Sequence, residues 1–358
     1  MSQARAEAVS ERAGRAWRID PPPNIFAIVM STGIVSMAAH NAGLEAVALG
    51  MLWLNAVVYV MLWLLFSARM AQSFAEVRSD FHNHARGPGF FTMVAGTSVL
   101  GRQAILILGS VGLGKALWFV ALGLWFPITY LMFPGLMEGE KKPSLAKGLN
   151  GGWLLTVVAT QSLCVLGCRI AGEFPNEREQ GIVFAALGFW LVGAMIYIWM
   201  IAIIFYRWMF LPMNPGDLTP AYWINMGAMA ISTLAGVSLT RDAAHLPLLV
   251  EILPFVKGLT LMFWATATWW IPMLLVAGVW RHLQRRYPLR YEHGYWSVVF
   301  PLGMYTVCTQ GVQSAFDLPF LRVIPAVFVW VALGAWCLAA LGLAVHLFKK
   351  LANPAARL

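Results

Sequence analysis

Charge is scarce in this chain of 358 residues. Only 11% of its residues are charged, against roughly 25% in an ordinary soluble domain, and 59% are hydrophobic. Many of the apolar runs are too long for a soluble core, which excludes a conventional globular domain and points to an all-α integral membrane protein. Cysteine is also scarce. Cys164, Cys168, Cys308 and Cys337 all fall in apolar segments, where disulfide or zinc use is not expected. Residues 1–20 hold Arg5, Arg12, Arg15 and Arg18 but no apolar run, so no cleavable signal is expected and the first span would direct insertion. No paired carboxylates, nucleophile triad or phosphate loop stands in an aqueous segment, so neither an enzyme nor a cofactor is expected.

Ten spans of membrane length are expected, at about 23–40, 44–66, 90–108, 113–136, 152–170, 181–205, 223–240, 255–279, 295–314 and 324–348. They make one membrane domain, 23–348, between short tails at 1–22 and 349–358. With the N-terminus cytoplasmic, eighteen basic residues fall inside, from the arginines of the first tail to Lys349, Lys350 and Arg357. Five fall on the other side (Lys115, Arg169, Arg178, Arg241 and Arg322), while Arg102 and Lys257 lie within spans. The positive-inside rule then places both termini in the cytoplasm of a cell (inner or plasma) membrane. The net charge of +9 thus reflects topology, and no basic patch suits nucleic acid.

The spans alternate in character. Odd ones are rich in glycine, serine and threonine, as in MSTGIVSM and AISTLAGVSL; even ones are dominated by leucine, valine, alanine and tryptophan. Ser31, Gly96, Thr160, Ser232 and Thr306 recur at separations of 65, 64, 72 and 74 residues, which suggests a hairpin repeated five times. Small residues also let transmembrane helices pack closely. Strict alternation favours an inner ring around a conduit, with Ser31, Gly33, Gly96, Thr97, Thr160, Ser232, Thr233, Gly303 and Thr306 as candidate lining residues and lipid against the even helices.

The sixteen carboxylates all map to tails or connections, which counts against a cation pore and against coupling through an intramembrane acid. Arg102, Arg241 and Lys257 are candidates for drawing anions toward the path; for Arg169 and Arg241, snorkelling to the interface is the plain alternative. Cys164 and Cys168, four apart, read as packed thiols, His82 and His84 as a solvated pair without a third metal ligand, and His346 as a histidine without a haem partner. In the stretch YWSVVFPLGMYTVCTQ, Tyr295–Gln310, the large ring of Phe300 precedes Pro301. Pro301 has no N–H for the carbonyl of Ser297, so the helix is expected to bend or open there.

Pro23-Asn24-Ile25-Phe26 leading into Met30-Ser31-Thr32-Gly33-Ile34-Val35-Ser36, the run Phe90–Thr97, and Tyr295-Trp296 followed by Phe300-Pro301 together resemble the tellurite-resistance/C4-dicarboxylate transporter family. This group spans TehA-like proteins, malate permeases, sulfite exporters and plant slow anion channels. The resemblance implies five hairpins in pseudo-fivefold symmetry, odd helices around a pore, a homotrimer with one pore per subunit, and Phe300 as the occluding gate. It implies a gated channel for small anions, chloride, nitrate or a small carboxylate among them. The alternative is a proton-linked carrier of a C4-dicarboxylate, sulfite or a tellurite-type oxyanion.

Overall fold

The computed structural model describes residues 20–352. The arginines at 5, 12, 15, 18 and 357 lie outside them. Ten long helices carry the fold, and no strand occurs among the described residues. They are α1 (Ala27–Asn41), α2 (Glu45–Phe81), α3 (Phe91–Leu108), α4 (Val111–Glu138), α5 (Leu155–Ala171), α6 (Asn176–Phe210), α7 (Ile224–Arg241), α8 (Leu253–Val279), α9 (Trp296–Ala315) and α10 (Val323–Ala352). Nine are long and apolar enough to cross a membrane by length and composition. The exception is α9, whose 20 residues carry no charge but include Thr306, Thr309, Gln310 and Gln313, which lower its hydropathy.

Each odd helix is preceded by a short 3₁₀ turn: Pro23–Phe26, Gly87–Phe90, Gly151–Leu154, Pro220–Trp223 and His293–Tyr295. Proline or glycine near the start of each turn fits a first turn whose N–H groups have no helical partner. A proline, glycine or histidine start followed by an aromatic or leucine is the clearest local mark of the fivefold repeat.

The repeat closes into a ring. Each odd helix packs against two others, in the order α1, α3, α5, α7, α9 and back to α1, and each even helix lies outside, mainly against the odd helix before it. Burial follows this division. Within the apolar windows of α1, α3, α5 and α7, 78–94% of residues are buried, against 17–39% for the even helices; in α9, Trp296, Phe300, Tyr305 and most of their neighbours are buried. Large apolar side chains such as Trp53, Leu64, Phe126, Trp199 and Trp330 stand exposed on the outer helices. Such a surface is unfavourable in water and suits lipid. This is a multi-pass helical membrane protein.

Two expectations need correction. The helix of the second span does not stop near residue 66: α2 runs on to Phe81, with a kink at Ser73 (φ −147°, ψ 48°). Its extension carries Arg69, 2% exposed, which ion-pairs with Asp20 at 2.7 Å and Asp80 at 2.6 Å; Asp80 also meets Arg86 at 2.9 Å. The second concerns Pro301, where α9 continues without a break. Pro301, the sixth residue of α9, leaves out a single ladder bond, to the Ser297 carbonyl, and the bonds on either side carry the helix past it.

Candidate functional site

The C-terminal ends of the five inner helices converge on a vestibule. A cavity of about 710 Å³ is lined by Met37 and Asn41 of α1, Arg102 of α3, Leu234 and Arg241 of α7, and Val307, Gln310, Gly311 and Ser314 of α9, with Arg322 and part of α10 at its side. A second cavity of about 190 Å³ shares Arg102, Leu106 and Arg241 and adds Cys168 and Arg169 of α5, Ser238 and Asp242. All five inner helices therefore run parallel, and each turns its electronegative end toward this mouth. Arg169 and Arg241 occupy the last turns of α5 and α7, where a cation offsets the helix end. Arg102 and Arg322 stand with them in the walls of the two cavities, so four guanidinium groups oppose the negative helix ends there.

Phe300 stands below this mouth. It is 1% exposed, and Val307, Gly311 and Ser314, seven, eleven and fourteen residues further on, share its helical face. Those three line the larger cavity, so Phe300 occupies the same face about 10 Å deeper than Val307 at 1.5 Å per residue. Its helix is tightly held. A Cβ on Gly227 of α7 would fall 2.7 Å from Pro301 Cγ, and one on Gly303 would fall 2.9 Å from Ile34 Cγ2 of α1. The hydroxyl of Ser31 donates to the carbonyl of Trp296 at 2.7 Å, tying α1 to the turn that carries Phe300.

The small polar residues of the inner helices face several ways. The Thr97 hydroxyl meets Tyr59 OH of α2 at 3.0 Å, and Thr160 Oγ1 accepts from Trp125 Nε1 of α4 at 2.9 Å. The Ser232 carbonyl accepts from Trp190 Nε1 of α6 at 2.9 Å, Thr309 Oγ1 from Trp264 Nε1 of α8 at 3.1 Å, and Thr32 Oγ1 from Trp336 Nε1 of α10 at 3.0 Å. One aromatic donor on every outer helix thus reaches the inner helix that follows it, the last reaching round to the first. The Ser232, Thr233 and Thr306 hydroxyls donate to carbonyls one turn back in their own helices. A Cβ on Gly33 would meet Val99 at 2.6 Å, and one on Gly96 would meet Val29 at 3.4 Å, so both glycines serve close helix approach.

Arg102 and Arg241 meet in the vestibule; Lys257, in the first turns of the outer helix α8, lines neither cavity. Cys164 and Cys168 are buried free thiols, and no group of three metal-ligating side chains occurs among the described residues. His346 does have a histidine near it, the ring of His293 at 5.9 Å. At the other end of the ring, Arg207 is 3% exposed and donates to the Leu149 carbonyl and to Tyr222 OH.

The sequence reading missed two groups. Asp242 was assigned to a connection, yet it lines the smaller cavity directly after Arg241. The tryptophans in the middle of outer spans passed as apolar filler, although an indole N–H in hydrocarbon needs a partner; that need, beside a hydroxyl-rich neighbour, was the available signal.

The model of the voltage-dependent anion channel family matches residues 21–344. The chain belongs to this family. A voltage-dependent anion channel family member of this kind is a channel or transporter of anions, not an enzyme. The chain is similar to an uncharacterized membrane protein of Mycobacterium tuberculosis, 43% identical over 136 residues, covering 38% of this chain and 68% of the relative. It is similar over far more of its length to an uncharacterized transporter of Methanocaldococcus jannaschii, 23% identical over 320 residues (87% of this chain, 90% of the relative). The sulfite efflux pump SSU1 of Trichophyton rubrum is 22% identical over 337 residues, 88% of each chain.

Proposed function

We propose that the ring of inner helices encloses a path for small inorganic or organic anions and that Phe300 closes it below the arginine-lined vestibule. The observation that carries this reading is helical phase: Phe300 shares its face with Val307, Gly311 and Ser314, and these line the cavity. In this reading the conduit is largely apolar at the gate, and Pro301 supports the closing ring. Ser31, Gly33, Gly96, Thr97, Thr160, Ser232, Thr233, Gly303 and Thr306 shape the conduit chiefly by letting the inner helices and their outer partners approach closely. Arg102 and Arg241 attract the anion, Lys257 acting at most through its distant field. The membrane domain is 23–348, both termini are cytoplasmic, the vestibule faces outward, and three copies assemble with one path each.

With the cell interior negative, anions leave down their gradient, by about 2.3 kcal/mol per charge per 100 mV. In a planar bilayer Phe300→Ala raises anion conductance without changing the order of anion preference; unchanged or lower current from folded protein refutes the gate. A second reading, a proton-linked carrier of sulfite, a C4-dicarboxylate or a tellurite-type oxyanion, is favoured by Asp242 in the vestibule and by the sulfite efflux pump among the relatives. Flux from liposomes driven by voltage alone supports the channel, and flux that requires a pH gradient supports the carrier.

A further inference from the structure

Resting on the anion path just described, we propose that the branch of the vestibule between Arg102, Arg169 and Arg241 binds a single small oxyanion. We further propose that the Asp242 carboxylate, in the same wall, opposes that anion with its own negative charge, so that occupancy rises when Asp242 takes up a proton.

The branch cavity holds about 190 Å³, which at about 30 Å³ per water leaves room for an anion of four or five heavy atoms with a few waters. Three inner helices each supply one guanidinium: Arg102 from α3, Arg169 from α5 and Arg241 from α7. Among the described residues, none of the three has a carboxylate within ion-pair distance, whereas Arg69, Arg86 and Arg281 all do. Arg102 Nε is buried without a hydrogen-bond partner, and its Nη1 reaches only the Val165 carbonyl at 3.5 Å. Donors left free in the wall of a cavity point to a ligand that accepts from them. Guanidinium groups present N–H pairs in a planar fork, which matches the paired oxygens of an oxyanion better than a spherical halide.

Asp242 is the one acid in that wall. Burial pushes its carboxyl up to about 6, although His245, the Cys168 thiol, Arg169 and Arg102 all favour its ionised form. The other charges around it are Arg241, its chain neighbour, Glu179 of α6, which pairs with His245 at 2.8 Å, and Arg322 in the joined cavity. Above about pH 6 the carboxylate is ionised and cancels one positive charge in the cavity wall; below it, that cancellation is lost. An anion that binds more tightly to the protonated form must in turn raise the affinity of Asp242 for its proton.

The test measures nitrate binding by calorimetry to purified protein in detergent, with gluconate holding ionic strength, because nitrate keeps its charge throughout. If only the protonated form binds, apparent affinity rises about 30-fold between about pH 7.5 and about pH 5. Asp242→Asn binds at the tight limit at both pH values, Asp242→Ser does the same should the first variant not fold, and Arg169→Gln and Arg241→Gln bind weakly at both. A pH slope that survives in both Asp242 variants overturns the proposal. So does a slope abolished by His245→Gln, affinity for chloride equal to that for nitrate, or no saturable nitrate binding by the unsubstituted protein. Phe300→Ala binds nitrate as the unsubstituted protein does whatever happens to its flux, so failure of the gate and failure of this site are read separately.

Discussion

Removing the hydroxyl of Thr160 separates two roles that a small polar residue can have in such a ring. The hydroxyl accepts from Trp125 Nε1 at 2.9 Å and donates to the Thr156 carbonyl at 2.8 Å, and both side chains are buried. Thr160→Val keeps the shape and strands the indole N–H, a loss of about 1–3 kcal/mol for an unsatisfied buried donor. Trp125→Phe removes the donor as well as part of the ring. The double variant no longer contains a stranded group, so its loss falls short of the sum of the single losses by the coupling energy, about 0.6 kcal/mol and at most about 1.7 for interhelical bonds in membranes. Reversible unfolding in mixed detergent micelles, followed by tryptophan fluorescence and circular dichroism, measures all four corners of the cycle. The nitrate-to-chloride flux ratio of Thr160→Val stays at its original value, because the hydroxyl is committed to the outer helix. Additivity within about 0.3 kcal/mol, or a changed flux ratio at unchanged stability, refutes the reasoning and puts the hydroxyl on the anion path.

Two further perturbations test the packing around Pro301 and the charged end of α2. Gly227→Ala places a methyl 2.7 Å from Pro301 Cγ, so it costs about 1–3 kcal/mol of stability by overpacking and lowers the thermal midpoint; an unchanged midpoint would show that α7 and α9 separate freely. Arg69→Ala removes the buried partner of Asp80 and leaves that carboxylate only Arg86. A loss of about 3–5 kcal/mol is expected, read as a fall in the yield of monodisperse protein, whereas Arg285→Ala at an exposed site changes it little.

Much of the architecture was legible in the chain, and the reasons are local. The order of small-residue and leucine-rich spans reports burial, because a helix surrounded by helices needs little bulk and one against lipid needs much. That is why the inner and outer rings followed from composition. The 65-residue recurrence of Ser31 and Gly96 marked the repeating unit but missed its direction by one residue: Thr32 and Thr97 carry the bonds to the outer helices. A period fixes spacing along the chain, while the face a residue presents depends on its partners. Phe300 stood out because proline follows it, and its alignment with Val307 and Gly311 needed the cavity to be seen. Asp242 was missed for a related reason. A residue two positions beyond an expected span reads as solvent, yet residues of α3, α5 and α7 line one cavity with it. The long C-terminal part of α2 was missed because its polar sequence, held by Arg69 and Asp80, is stable through ion pairs that hydropathy does not register.

The ring of inner helices has one junction unlike the others. Between α1 and α3, and at every later step up to α9, successive inner helices are joined through the outer helix that lies between them in the chain. Between α9 and α1 no such link exists. The meeting of the first and last hairpins is held by side chains alone, by Ser31 on the Trp296 carbonyl, Asn41 on Gln310 at 2.9 Å and Trp336 on Thr32. This is the clasp of the ring, and Phe300 is carried by one of the two helices that it fastens. Widening the ring anywhere else strains a covalent hairpin, whereas parting the clasp breaks only non-covalent contacts, those hydrogen bonds and the packing of Gly303 against Ile34 and Val35, so Phe300 sits beside the one junction that can loosen without straining the chain.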